Sequence, residues 1–178
     1  MKNKLISYSR ILLTVLIICT LSFTFYQSML PPEESSEVSN NVSDAIEPII
    51  PSDTPTGSYV HTNLRKIAHF IEFAALGTEV ALFVILYLPT WGAELRKKIK
   101  FMLHSLVIAP ITALLDETIQ IFTDRGPAIT DVWIDTAGFI CLATLAYLIY
   151  LAVVLIRRRA AGIRNSAPVD KNGQDHIG

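Results

Sequence analysis

The chain has 178 residues, of which 51% are apolar and only 17% charged, and its mean hydropathy is +0.43, a balance that excludes an ordinary soluble domain of this size. A formal net charge of −1 argues against nucleic acid as a partner, because neutralising phosphates requires a basic surface. Charge matters here by its position along the chain.

Four apolar stretches, 10–30, 67–88, 101–122 and 132–156, approach the roughly 20 residues needed to cross a hydrocarbon core of about 30 Å. Lys2, Lys4 and Arg10 precede the first, as in a signal peptide, but Phe23, Phe25 and Tyr26 occupy the place of a small-residue cleavage site, so a retained helix is expected. Residues 31–63 change to Pro, Ser, Asn and acids, with no Lys or Arg. Such a segment offers too little apolar surface to offset ordering entropy and reads as a flexible acidic loop with at most short turns. Residues 64–157 carry the other three spans, and 158–178 read as a basic, flexible tail. Cys19 and Cys141 stand in apolar runs without metal or redox spacing and read as small buried hydrophobes.

Four spans put 12 of the 15 basic residues on one side, among them Arg96, Lys97, Lys98, Lys100 and the run Arg157 to Arg159. Cytoplasmic loops carry the positive excess, so both termini are expected in the cytoplasm and the acidic loop outside. The outer side keeps only Arg65, Lys66 and Arg125.

Those three flank unusual polar groups at helix ends. Arg65, His69 and Glu72 share one face of the second span at i, i+4 and i+7. Thr112, Asp116 and Gln120 form a stripe on the third, with Glu117 beside it, and Asp131, Asp135 and Gly138 open the fourth. A rise of 1.5 Å per residue puts Glu72 and Asp116 about 10 Å and Asp135 about 5 Å below the outer helix ends, in one layer. A carboxylate there costs a few kcal/mol unless it faces the bundle and meets a partner. Helix glue is one reading, with Asp131 or Thr130 capping the fourth helix. Glue needs far fewer charges, however, since Ser, Thr and Gly usually serve. Glu79, near the midplane, is expected to meet Thr112 or Thr144.

The runs Lys66-x-x-His69-Phe70-x-Glu72-Phe73-x-x-Leu76-Gly77, Asp116-Glu117-x-x-Gln120-x-Phe122-x-x-Arg125 and Asp131-Val132-x-x-Asp135-x-x-Gly138 resemble the motifs of VanZ-like membrane proteins. The resemblance covers residues 66–138, the first span agreeing only in hydrophobicity. It implies a link to the bacterial cell envelope and, in the founding member, to low-level teicoplanin resistance, but no agreed activity. Phe73, Thr123-Asp124 and Leu142 depart from the family's usual residues without removing a charged member of the set.

The resulting expectation is an all-α polytopic membrane protein with four transmembrane helices, binding or modifying a membrane lipid or lipid-linked envelope precursor at the outer leaflet. His69, Glu72, Asp116, Glu117 and Asp135 are the candidate hydrogen-bonding or acid/base set; Arg65, Lys66, Gln120, Arg125 and Asp131 are the candidate binding set. The alternative is a non-enzymatic accessory protein whose charges only pack the helices. No protein partner and no cofactor is assigned. Without an HExxH spacing no metal site is assigned either, though a divalent ion held by His69 and several carboxylates stays open.

Overall fold

The computed structural model describes residues 2–87, 95–123, 126 and 128–166, and these are helical with no strand. In chain order the helices are α1 (Lys2–Met29), α2 (Pro32–Ile46), α3 (Pro55–Thr62), α4 (Leu64–Tyr87), α5 (Leu95–Ser105), α6 (Ile108–Ile121) and α7 (Ile129–Ser166). Four stretches are long and apolar enough to cross a membrane: Ile6–Met29, Leu64–Tyr87, Arg96–Ile121 and Ile129–Ala161.

The distribution of side chains is inverted relative to a soluble protein. Ile11, Leu12, Val15, Ile111, Leu114 and Leu115 are exposed, whereas Ser28, Thr112, Asp116, Gln120 and Asp135 are buried. Lipid solvates the first set at no cost, and the second must find its hydrogen bonds inside. Cys19 and Cys141, expected to be buried, are instead free and exposed on outward faces, where a thiol meets only apolar surroundings.

The third span is two helices. Pro110 has no N–H to give Leu106, so the ladder breaks at Leu106–Val107 and tightens into bonds from Leu106 to Leu103 and from Val107 to His104. Pro110 then lies in the first turn of α6, where its missing donor does no harm.

Antiparallel packing of α1 on α4 is fixed at one end and the middle. Arg10 donates to the Leu86 carbonyl at 2.9 Å and stacks 4.2 Å over Tyr87, satisfying the last turn of α4, while Thr20 donates to Glu79 at 2.9 Å. Glu79 therefore meets Thr20 of the first helix rather than Thr112 or Thr144. The approach of α4 to α7 is set by two glycines. A Cβ on Gly77 would collide with the Phe139 carbonyl, and one on Gly138 with the Phe70 carbonyl, so the backbones touch.

Residues 31–63, expected as a loop, hold α2 and α3. Pro32 with Glu33 and Glu34 gives α2 a favourable first turn, and Pro55 follows Thr54, whose hydroxyl caps α3 by accepting from Gly57 N–H at 3.0 Å. His61 joins the two by contacts with Ser43, Glu47 and the Ile50 carbonyl. The Ser52 backbone N–H and hydroxyl donate to Glu47 and hold its carboxyl below the usual carboxylate range. Local capping and one half-buried histidine thus supply the order that composition withholds. The last helix also runs past its expected end at 156, through the strong helix formers Arg157 to Ala161, to Ser166.

Candidate functional site

The polar layer expected from spacing assembles where α1, α4, α6 and the first turns of α7 meet. From α4, His69 is 8% exposed and points its Nδ1 at two carboxylates, 3.7 Å from Asp116 Oδ2 and 3.6 Å from Asp135 Oδ1; both aspartates are fully buried. These separations exceed a hydrogen bond. Glu72, one turn along α4, lies within electrostatic range of all three.

Asp116 is held from two sides. Ser28 of α1 donates to Oδ1 at 2.7 Å, and Gln120, one turn along α6, donates to Oδ2 at 3.1 Å. The amide of Gln120 also reaches Glu117 at 3.1 Å, and its oxygen accepts from Arg65 at 2.7 Å. Arg65, Gln120, Asp116 and Ser28 form one chain across α4, α6 and α1. Glu117 turns away from this chain with its second oxygen, Oε2, which accepts the Ala128 N–H at 2.8 Å and so satisfies a donor at the start of α7. Thr130 and Asp131, expected as that cap, lie inside the first turn instead, because the helix begins at Ile129; Thr130 donates to Asp131 at 3.2 Å.

His69, Glu72, Asp116, Glu117, Gln120, Asp135 and Arg65 are therefore brought together. Lys66 is exposed and pairs with nothing among the described residues, and Asp131 is half-buried at the edge. Arg125 lies outside the described residues.

Sequence reasoning missed the contribution of α1. Thr20, Thr24 and Ser28 recur at i+4 and face Glu79, Glu72 and Asp116 in turn. It also missed α2, whose stripe Ser35, Val38, Ser39 and Val42 covers a cavity of about 210 Å³ floored by Arg65, His69 and Glu72. The i, i+3, i+4, i+7 spacing of that stripe was the available signal.

Part of the cluster is unsatisfied. Both oxygens of Asp135, His69 Nδ1 and Glu72 Oε2 are buried without a hydrogen-bond partner among the described residues. One oxygen each of Asp116 and Asp135 and a ring nitrogen of His69 lie within 4.8 Å of one another, a separation that a single ion could span. Carboxylates and an imidazole opening on a cavity can bind a polar headgroup, exchange protons with it, or hold a cation.

A family model described as VanZ/LLP1 matches residues 13–155, which takes in the first span as well as the three motif-bearing ones. Among curated proteins and solved structures there is no match.

Proposed function

The chain belongs to the VanZ/LLP1 family of membrane proteins, whose name is associated with teicoplanin resistance, and we propose that it binds or modifies a lipidic or lipid-linked cell-envelope component at the outer leaflet through the buried cluster of α4, α6 and α7. The observation that carries this reading is Asp135: fully buried within a membrane-spanning helix, with neither oxygen hydrogen-bonded among the described residues. An unsatisfied polar group of this kind costs several kcal/mol in a lipid-surrounded interior and is kept where it serves a function.

An amphipathic ligand fits the surroundings. Arg65 lines the small cavity and the exposed Lys66 follows it on α4, so they offer cationic contacts to a phosphate or sugar-bearing headgroup, with His69 and Glu72 at the floor. One turn further along α4 and α6, a second, apolar cavity of about 530 Å³ is lined by Ile17, Leu21, Leu76, Val80, Phe101 and Ile108. Its apolar lining suits an acyl or prenyl chain. Helix glue, the competing reading, is favoured by the chain from Arg65 to Ser28, in which every link is made. It leaves Asp135, Glu72 Oε2 and His69 Nδ1 without a purpose.

Comparison of envelope lipids and cell-wall precursors in deletion and wild-type cells tests the proposal. A lipid-linked species should accumulate or disappear in the deletion, return to normal with the wild-type gene, and fail to do so with Asp135→Asn. Identical profiles in all three strains would remove the envelope reading.

The outward orientation rests on the Lys and Arg distribution and has its own test. In a background lacking Cys19 and Cys141, a cysteine at Asn40, exposed on α2, should react with an impermeant thiol reagent in intact cells, whereas one at Lys97, exposed on α5, should react only after the membrane is opened. The opposite pattern would invert the topology and move the site to the cytoplasmic face.

A further inference from the structure

We infer that His69, Asp116 and Asp135 form a binding site for one divalent cation of the zinc or manganese kind. The inference deepens the proposed function and rests on it for what the ion would serve, while the binding of the ion is measured separately.

Geometry supplies the first argument. Metal bonds of about 2.0–2.2 Å place tetrahedral ligand atoms about 3.4 Å apart. The His69 Nδ1 stands 3.6 and 3.7 Å from its two carboxylate oxygens, and one ligand atom from each of the three residues lies within 4.8 Å of the others. That is too long for direct hydrogen bonds and close to the spacing around a shared ion. The three residues come from α4, α6 and α7, so no short sequence motif could announce them.

Unmet valence supplies the second. Among the described residues, Asp135 has both oxygens free of hydrogen bonds at 0% exposure, and His69 Nδ1 is likewise unpartnered. Two aspartates and nearby Glu72 bring up to three negative charges to the layer, while Arg65 is engaged with Gln120. A divalent ion satisfies the orphaned atoms and offsets the charge at once.

Orientation is the third. Metal-ligating carboxylates are usually hydrogen-bonded on their outer side, which fixes their direction. Asp116 has such support on Oδ1 from Ser28, while Gln120, itself anchored by Arg65, donates to Oδ2, the oxygen that faces His69. One imidazole and two carboxylates, with no sulfur, suit a borderline or hard divalent ion rather than copper(I). Three protein ligands leave coordination positions open, and His69 and Glu72 line the 210 Å³ cavity, from which a water or a phosphate oxygen could enter.

The full chain, purified in detergent micelles and stripped with chelator, is titrated with Mn²⁺ and followed by electron paramagnetic resonance, then with Zn²⁺ followed by elemental analysis after gel filtration. One ion should bind saturably per chain. Ser28→Ala, which removes a hydrogen bond orienting Asp116, should weaken binding about 10-fold, and Asp135→Asn should abolish it. Glu79→Gln, which alters the carboxyl bonded to Thr20 two turns away, should bind like wild type. No saturable binding by the wild-type chain, or equal binding by Asp135→Asn, overturns the inference. Saturable binding together with unchanged envelope lipids in the deletion strain would retain the ion site and remove the proposed function; altered lipids without ion binding would do the reverse.

Discussion

Gly138→Ala is expected to strip most of the folded protein from the membrane, a larger loss than any single change to a charged residue should cause. Gly138 sits in the middle of a helix with ordinary dihedrals, so its role is space and not conformational freedom. An added Cβ would enter the Phe70 carbonyl of α4, which is backbone and cannot rotate away. Gly77 presents the same problem in the other direction, against the Phe139 carbonyl. Membrane helices are held by close packing and not by expulsion of water, so forcing the two apart loses contacts along Phe73, Leu76 and Phe139, all within 1% of full burial. Overpacking of this kind costs about 1–3 kcal/mol or more, and a marginally stable bundle has little to lose. It would also draw Asp135 away from His69. Gly126→Ala is the control: its φ of 65° makes alanine strained, but nothing among the described residues lies within 4 Å, so the cost should be about 1 kcal/mol. Thermal melting in detergent and membrane abundance measure both. Wild-type melting by Gly138→Ala would show that α4 and α7 are not in backbone contact.

The same residues show what the sequence could and could not convey. Four spans were legible because a membrane demands about 20 apolar residues per crossing, and the layer of Arg65, His69, Glu72, Asp116, Gln120 and Asp135 was legible because charges at such depth must converge. Partners were less so. Glu79 could be placed at the midplane from spacing alone, but that it meets Thr20 depends on which helix lies alongside, and α1 showed only hydrophobicity because Ser and Thr are common in membrane helices. Glu117 reads from the sequence as one of four candidate carboxylates; its bond to the Ala128 N–H depends on the turn from α6 to α7, for which the pair Gly126-Pro127 was the cue. The Pro110 break and the caps of α2 and α3 were readable in principle from proline and threonine chemistry, yet composition outweighed them in the loop.

A pair of isosteric changes separates a working site from helix glue because the structure gives them opposite signs. Asp116 accepts from Ser28 and Gln120. Asp116→Asn sets an amide NH₂ against one of those donors, and the lost bond plus the stranded group should cost on the order of 1–3 kcal/mol of stability. Asp135 accepts from nothing among the described residues. In chelator-treated protein Asp135→Asn should therefore melt at or above the wild-type temperature, because it replaces an unsatisfied buried carboxyl with a group that adds no lost bond. In cells the same variant should be as abundant as wild type and yet inactive in the lipid assay, since it removes a carboxylate with neither oxygen hydrogen-bonded among the described residues. Stability given up at a position and regained by neutralising it is the mark of a functional residue. Glue predicts otherwise: both variants would lose stability together, and activity would follow abundance. An Asp135→Asn protein that is destabilised as much as Asp116→Asn, or that is stable and fully active, would end the case for Asp135 as a working group.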